Sequence, residues 1–145
     1  QAAGVAPEQI EVEITESVAM RNFDSVCEKL RALRAMGVEV AIDDFGTGFS
    51  SLSYLRLLPA DRLKIDRSFV LEIGEVSDQQ MIAEAVIQIA ARVGMQVIAE
   101  GVETQQQADW ILAHGCRQAQ GYLFARPMAC AELLQWLDGW SGRQG

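Results

Sequence analysis

Seven polar side chains stand at the ends of short apolar runs, and their types suggest one chemistry. Glu13 lies in Val12–Ile14, Asp43 and Asp44 follow Val-Ala-Ile, Lys64 lies in Leu63–Ile65, Glu100 with Glu103 follows Val-Ile-Ala, and Gln120 follows Cys116–Ala119. Carboxylates brought this close cannot all stay ionised unless cations neutralise them. Hard divalent cations that prefer oxygen ligands, Mg2+ or Mn2+, are the natural solution. Adjacent aspartates are suited to hold two such ions, one carboxylate bridging, and a pair of ions suits attack on a phosphodiester. Lys64 would then be a fixed positive charge that orients an attacking group or steadies developing negative charge. Taken singly, each residue has a plainer reading: a solvated Asp-Asp turn, a surface lysine, a charged first helical turn. The argument rests on their coincidence at every run.

The elements that must position them are legible from periodicity. Strands are expected at Ile10–Ile14, Val38–Ile42, Arg62–Ile65, Met95–Ala99 and Cys116–Ala119. Phe23, Val26, Leu30, Leu33 and Met36 recur at helical spacing, with Gly37 closing that helix. A short helix is expected around Leu52–Leu57, ended by Pro59. Ser77 can cap a long helix with Met81, Ala85, Ile89 and Val93 on one face and Gly94 at its end. Thr104 can cap another, through Ile111 and Leu112, and a last helix is expected near Ala131–Leu137.

Strands alternating with helices, without hairpin signals, imply parallel strands joined by helical crossovers. A doubly wound sheet gathers its site at one switch point, whereas a (β/α)8 barrel draws groups from every strand. Polar groups at all five runs favour the barrel. A whole barrel needs eight strands and about 200 residues or more, and the chain has 145. It therefore reads as α/β, about five of the eight units of a TIM-type barrel, with residues 1–145 the C-terminal portion of one domain.

Composition narrows the partners. The formal charge is −8 and half the residues are hydrophobic. That balance disfavours a nucleic-acid polymer, which needs clustered Lys and Arg, and an anionic membrane surface. Cys27, Cys116 and Cys130 are widely spaced and read as small buried hydrophobes of a reducing compartment. His114 is the sole histidine, so His-rich metal sites are excluded; beside Gly115 it reads as a helix-end residue. No secretory signal or apolar run of about 20 residues is present. A cytoplasmic location is expected, with any membrane anchor lying outside this sequence.

The runs EVEITES (Glu11–Ser17), AIDDFGTGFSSL (Ala41–Leu52), LKID (Leu63–Asp66), IAEGVET (Ile98–Thr104) and QGYLFARPM (Gln120–Met128) resemble, in order and spacing, the motifs of the EAL domain. That family is the bacterial module that hydrolyses cyclic di-GMP to linear pGpG with two divalent ions. The resemblance implies that Glu13 and Asp43 bind a first metal and that Asp43, Asp44 and Glu100 serve a second. Glu100 has also been viewed as a general base; the ligand role is the one expected here. It implies that Lys64 contacts the catalytic water region, that Glu103 and Gln120 support the metal and substrate site, and that Asp66 helps to position substrate. Phe45, Gly46, Thr47, Gly48, Phe49, Ser50 and Ser51 match a loop linking dimerisation to metal binding. Glu16 matches the glutamate that pins this loop, and a helix N-terminal charge is its plainer reading.

The Glu-Ala-Leu motif that names the family, and an asparagine ligand expected upstream of Glu13, do not occur in this sequence. The 145 residues by themselves are therefore expected to turn over little or no substrate, and to associate in pairs or with further strands. Expected partners are cyclic di-GMP, a second copy, and GGDEF or sensory domains in the parent chain. The alternative is a cyclic di-GMP receptor that binds without hydrolysis.

Overall fold

The computed structural model describes residues 4–46, 52–74 and 77–141. Five parallel strands, β1 (Glu11–Thr15), β2 (Glu39–Phe45), β3 (Arg62–Ile65), β4 (Gln96–Ala99) and β5 (Gln118–Ala119), form one sheet in chain order. An order with no reversal has no switch point, so it is an arc of a barrel and not a doubly wound sheet. Helices α1 (Glu16–Arg21) and α2 (Phe23–Ala35) join β1 to β2, and α3 (Leu52–Leu55) lies between β2 and β3. Helices α4 (Arg67–Leu71) and α5 (Asp78–Val93) join β3 to β4, α6 (Gln105–Ala113) joins β4 to β5, and α7 (Cys130–Ser141) closes the chain.

Side chains on both faces of the central strands are shielded, as a parallel sheet under helices requires. Val40, Ala41, Ile42 and Leu63 are fully buried, with Leu55, Ile65, Val70 and Val102 packed around them. The helix ends follow from sequence. Ser77 accepts a hydrogen bond from the Gln80 N–H, and Gly94 adopts φ +81° to close α5. Thr104 and Gln107 form a reciprocal capping box at α6.

Two local expectations need correction, and one helix was not expected. The buried face of α5 is Ala83, Val86, Ile87 and Ala90, whereas Met81 is 64% exposed. The helix is apolar around much of its circumference, so i, i+4 spacing selects two neighbouring stripes equally well; the sheet takes the one with two alanines, which permits closer approach. Helix α4 is unforeseen because five residues are too short to show a helical period. It forms because the Asp66 carboxylate caps the Ser68 N–H at 3.0 Å while Phe69 and Val70 bury. Cys130 is exposed at the start of α7, whereas Cys27 and Cys116 are buried as expected.

The N-terminal end of the sheet is braced by charge. Arg62 pairs with Glu11 and Glu39, and Asp61 accepts from the Val40 N–H at 3.0 Å while meeting Arg34 at 2.6 Å. Val40 has no exposed surface, so without Asp61 its N–H would be buried and unsatisfied. Asp61→Ala is expected to cost about 1–3 kcal/mol of unfolding free energy, and Asp61→Asn, which keeps the acceptor, less. Chemical denaturation of the two variants checks this.

Candidate metal centre

Of the residues singled out in the sequence, Glu13, Asp43, Asp44, Lys64, Glu100 and Gln120 come together at the opposite, C-terminal side of the sheet. Lys64, central in β3, is 6% exposed and lies between β2 and β4. Its Nζ sits 2.8 Å from Glu13 Oε1, 3.1 Å from Asp43 Oδ1 and 2.8 Å from Glu100 Oε1. Burial alone would pull the Lys64 ammonium pKa down, but hydrogen bonding to Glu100, Glu13 and Asp43 outweighs it and holds the pKa above its ordinary value.

Asp43 and Asp44 are consecutive in β2, and consecutive strand residues normally face opposite sides. Here the β2–β3 register shifts between Ile42 and Phe45, and Asp44 has φ +53°, the left-handed region. Asp tolerates that region better than most residues. The irregularity turns both carboxylates toward one place. Asp43, Asp44 and Glu100 each offer an oxygen within 4.8 Å of the other two. Bulges beside functional sites re-aim side chains in this way.

The charges in this cluster are incompletely balanced. Burial raises the Glu100 pKa, and Lys64 only partly offsets this. Asp44 is also raised, first by desolvation and then by the adjacent Asp43 charge. Asp43 Oδ1 is buried and lacks a well-directed hydrogen bond even though the Lys64 ammonium lies 3.1 Å away. An all-oxygen set with crowded charge, one buried oxygen of it facing only the Lys64 ammonium, fits a hard divalent cation. Glu13 is outside the close trio and joins it through Lys64.

Supporting groups surround the trio. The Gln120 amide donates to Glu100 Oε1 at 2.6 Å and so fixes that carboxylate's orientation. Gln120→Ala is expected to weaken Mn2+ binding about tenfold, read by titration calorimetry, with little change in melting temperature. Glu16, the first residue of α1, is 3% exposed and accepts from the Gly46 N–H at 2.9 Å. It thus stands at a helix N-terminus and binds the backbone of Gly46, the residue after β2. Phe45 is not a loop residue: it ends β2, pairs with Ile65 and is buried in the core. Thr47, Gly48, Phe49, Ser50 and Ser51 lie outside the described residues.

Glu103 is placed away from the trio, its Oε1 2.5 Å from Arg67 Nη2. Asp66 serves as the α4 cap. Arg67, Glu103 and Gln120 line a cleft of about 520 Å3 with Tyr122, Arg126 and Met128, and the Arg126 guanidinium lies 4.6 Å above the Tyr122 ring. Sequence reasoning missed both arginines; the available signal was an arginine directly beside the motif residue Asp66 and another inside QGYLFARPM. A larger cavity of about 600 Å3, bordered by Arg92, His114 and Arg117, shares no residue with the acidic cluster. His114 is structural, its Nδ1 2.7 Å from Trp110 O and its ring stacked on Trp110.

An arc of parallel barrel strands with a carboxylate cluster and a buried lysine at their C-terminal ends defines a barrel-type domain whose clustered acids could hold a divalent cation. The EAL domain family model matches residues 1–127, and the chain belongs to the EAL domain family. It is 47% identical over 135 residues to the cyclic di-GMP phosphodiesterase NbdA of Pseudomonas aeruginosa, which covers 93% of this chain and 17% of that protein. It is 45% identical over 128 residues to the bifunctional diguanylate cyclase/cyclic di-GMP phosphodiesterase MucR of the same species, covering 88% of the chain and 19% of MucR. The chain therefore spans under a fifth of these two relatives.

Solved structures agree on the fold. The PaMucR phosphodiesterase in complex with c-di-GMP superposes with a TM-score of 0.87 at 43% identity, over 91% of this chain and 53% of that one. The EAL domain of Mycobacterium smegmatis DcpA gives 0.85 at 46% identity, over 94% and 61%. Klebsiella pneumoniae BlrP1, solved with manganese or with calcium and cyclic di-GMP, gives 0.79 at 40% identity, over 87% and 32%.

Proposed function

We propose that the protein carrying this chain hydrolyses cyclic di-GMP to linear pGpG in the cytoplasm, with two Mg2+ or Mn2+ ions. The observation that carries this reading is the convergence of Asp43, Asp44 and Glu100 within 4.8 Å of one another, against Lys64. Glu13 and Asp43 are the residues assigned to one ion, and Asp43, Asp44 and Glu100 to the other. Bound there, the ions would supply Lewis-acid charge to a phosphodiester and its attacking water.

The remaining work falls to the chain's own side chains. Lys64 is kept protonated by its carboxylate neighbours, so it is a fixed cation able to stabilise negative charge growing on the phosphoryl oxygens. Gln120 holds Glu100 in one orientation. Glu16 fixes the end of β2 through Gly46, just beyond the aspartate pair. The cleft between Arg67 and Arg126 offers room beside the cluster for the nucleotide. A GGDEF or sensory companion and a homodimer belong to the same reading; MucR is a bifunctional relative. Among the described residues no helix is long and apolar enough to cross a membrane.

The test is incubation of the purified protein with cyclic di-GMP and Mg2+ or Mn2+, with mass identification of the product. Linear pGpG that disappears with EDTA supports the phosphodiesterase. Tight binding without product would make the protein a receptor.

A further inference from the structure

We infer that Arg67, held in place by Glu103, hydrogen-bonds the acceptor edge of a guanine base and so sets which cyclic dinucleotide the site accepts; this rests on the function proposed above. Arg67 opens α4 directly after the Asp66 cap, which fixes where its side chain leaves the backbone. The stem then crosses Gly101: a Cβ built there would lie 2.3 Å from Arg67 Cγ, and Gly101 has φ +70°. The turn after β4 is thus shaped around this arginine. Its Nη2 meets Glu103 Oε1 at 2.5 Å, and both residues line the 520 Å3 cleft. Gln120 lines the same cleft and bonds Glu100, so the cleft opens beside the acidic cluster.

A guanidinium carries five N–H donors in a rigid plane. Glu103 engages one nitrogen, and the side chain is 56% exposed, so further donors remain for a ligand. The pair is formally neutral, which suits it to an uncharged base better than to a phosphate whose charge the cluster's cations would meet. Guanine presents two acceptors, O6 and N7, on one edge, and arginine matches them bidentately. Adenine carries an amino donor at the equivalent position, which would face N–H groups. Pro127, Met128 and Leu133 add an apolar wall to the cleft, as a flat base requires. In this arrangement Glu103 is a positioning residue, not a metal ligand.

The experiment compares kcat/KM for cyclic di-GMP and cyclic di-AMP, and Kd for both with Ca2+, in the wild-type protein and in Arg67→Ala, Arg67→Lys, Glu103→Gln and the double variant Arg67→Ala/Glu103→Gln. Arg67→Ala is expected to narrow the preference for the guanine dinucleotide by about 10- to 100-fold, mostly through KM and Kd. Arg67→Lys, which keeps charge but not the planar fork, should not restore it. Glu103→Gln should give part of the loss, and the double variant no more than Arg67→Ala, because Glu103 works through Arg67. Equal loss for both dinucleotides, or no change in either, would overturn the inference; the lysine variant gives the same answer should the alanine variant unfold. A wild-type protein that neither hydrolyses nor binds cyclic di-GMP would instead overturn the function itself.

Discussion

Asp43→Asn is expected to lower turnover of cyclic di-GMP by about 1,000-fold or more, the scale set by losing an electrostatic group at a reacting phosphoryl centre. Asp43 is the one carboxylate assigned to both ions, and its Oδ1 is buried without a directed hydrogen bond. Asparagine keeps the shape and an oxygen for Lys64 but removes the charge. It also removes one negative charge from beside Asp44, whose pKa is already raised partly by Asp43. The melting temperature in EDTA should therefore hold or rise while catalysis is lost. Steady-state kinetics and a thermal melt on the same preparation check both halves.

Lys64→Met reverses that pattern of stability. The ammonium is 6% exposed and touches Glu13, Asp43 and Glu100, so removing it leaves three carboxylates facing one another. Breaking a buried ionic cluster from one side costs about 3 kcal/mol or more, here lessened because Glu13 is 45% exposed. In EDTA the melting temperature should fall by several degrees, about 2–4 °C per kcal/mol for a domain of about 150 residues. Added Mn2+ should restore much of it, because divalent charge replaces the lost cation among the same oxygens. Turnover should stay low, by about 100-fold or more, since the fixed positive charge beside the phosphate does not return. A melt series with and without Mn2+ separates this from a simple core defect, which metal would not repair.

The barrel order was legible because each strand is a compact apolar run and two crossovers carry their own caps: Ser77 and the closing Gly94 on α5, and Thr104 on α6. Of the four acids singled out as metal ligands, Asp43, Asp44 and Glu100 come together and Glu13 stands outside, and the geometry was not legible. A plain strand reading puts Asp43 and Asp44 on opposite faces, and only the register shift against β3 with the positive φ of Asp44 brings them together. Nothing within those residues announces the shift, since it depends on how a strand 20 positions later pairs. The partner of Glu103 was hidden for a related reason, as Arg67 is 36 positions away. Helix α4 escaped because one capped turn has no period. For α5, the facing sheet chose between two adjacent apolar stripes.

Titration of Mn2+ into the metal-free protein, before any nucleotide is added, tests most directly that these strand ends form a cation site. Wild-type protein is expected to bind Mn2+, with affinity falling at least about tenfold in Asp43→Asn and again when Glu100 is changed to Gln. Unchanged Mn2+ binding in both variants would contradict the assignment of Asp43, Asp44 and Glu100 as the metal centre.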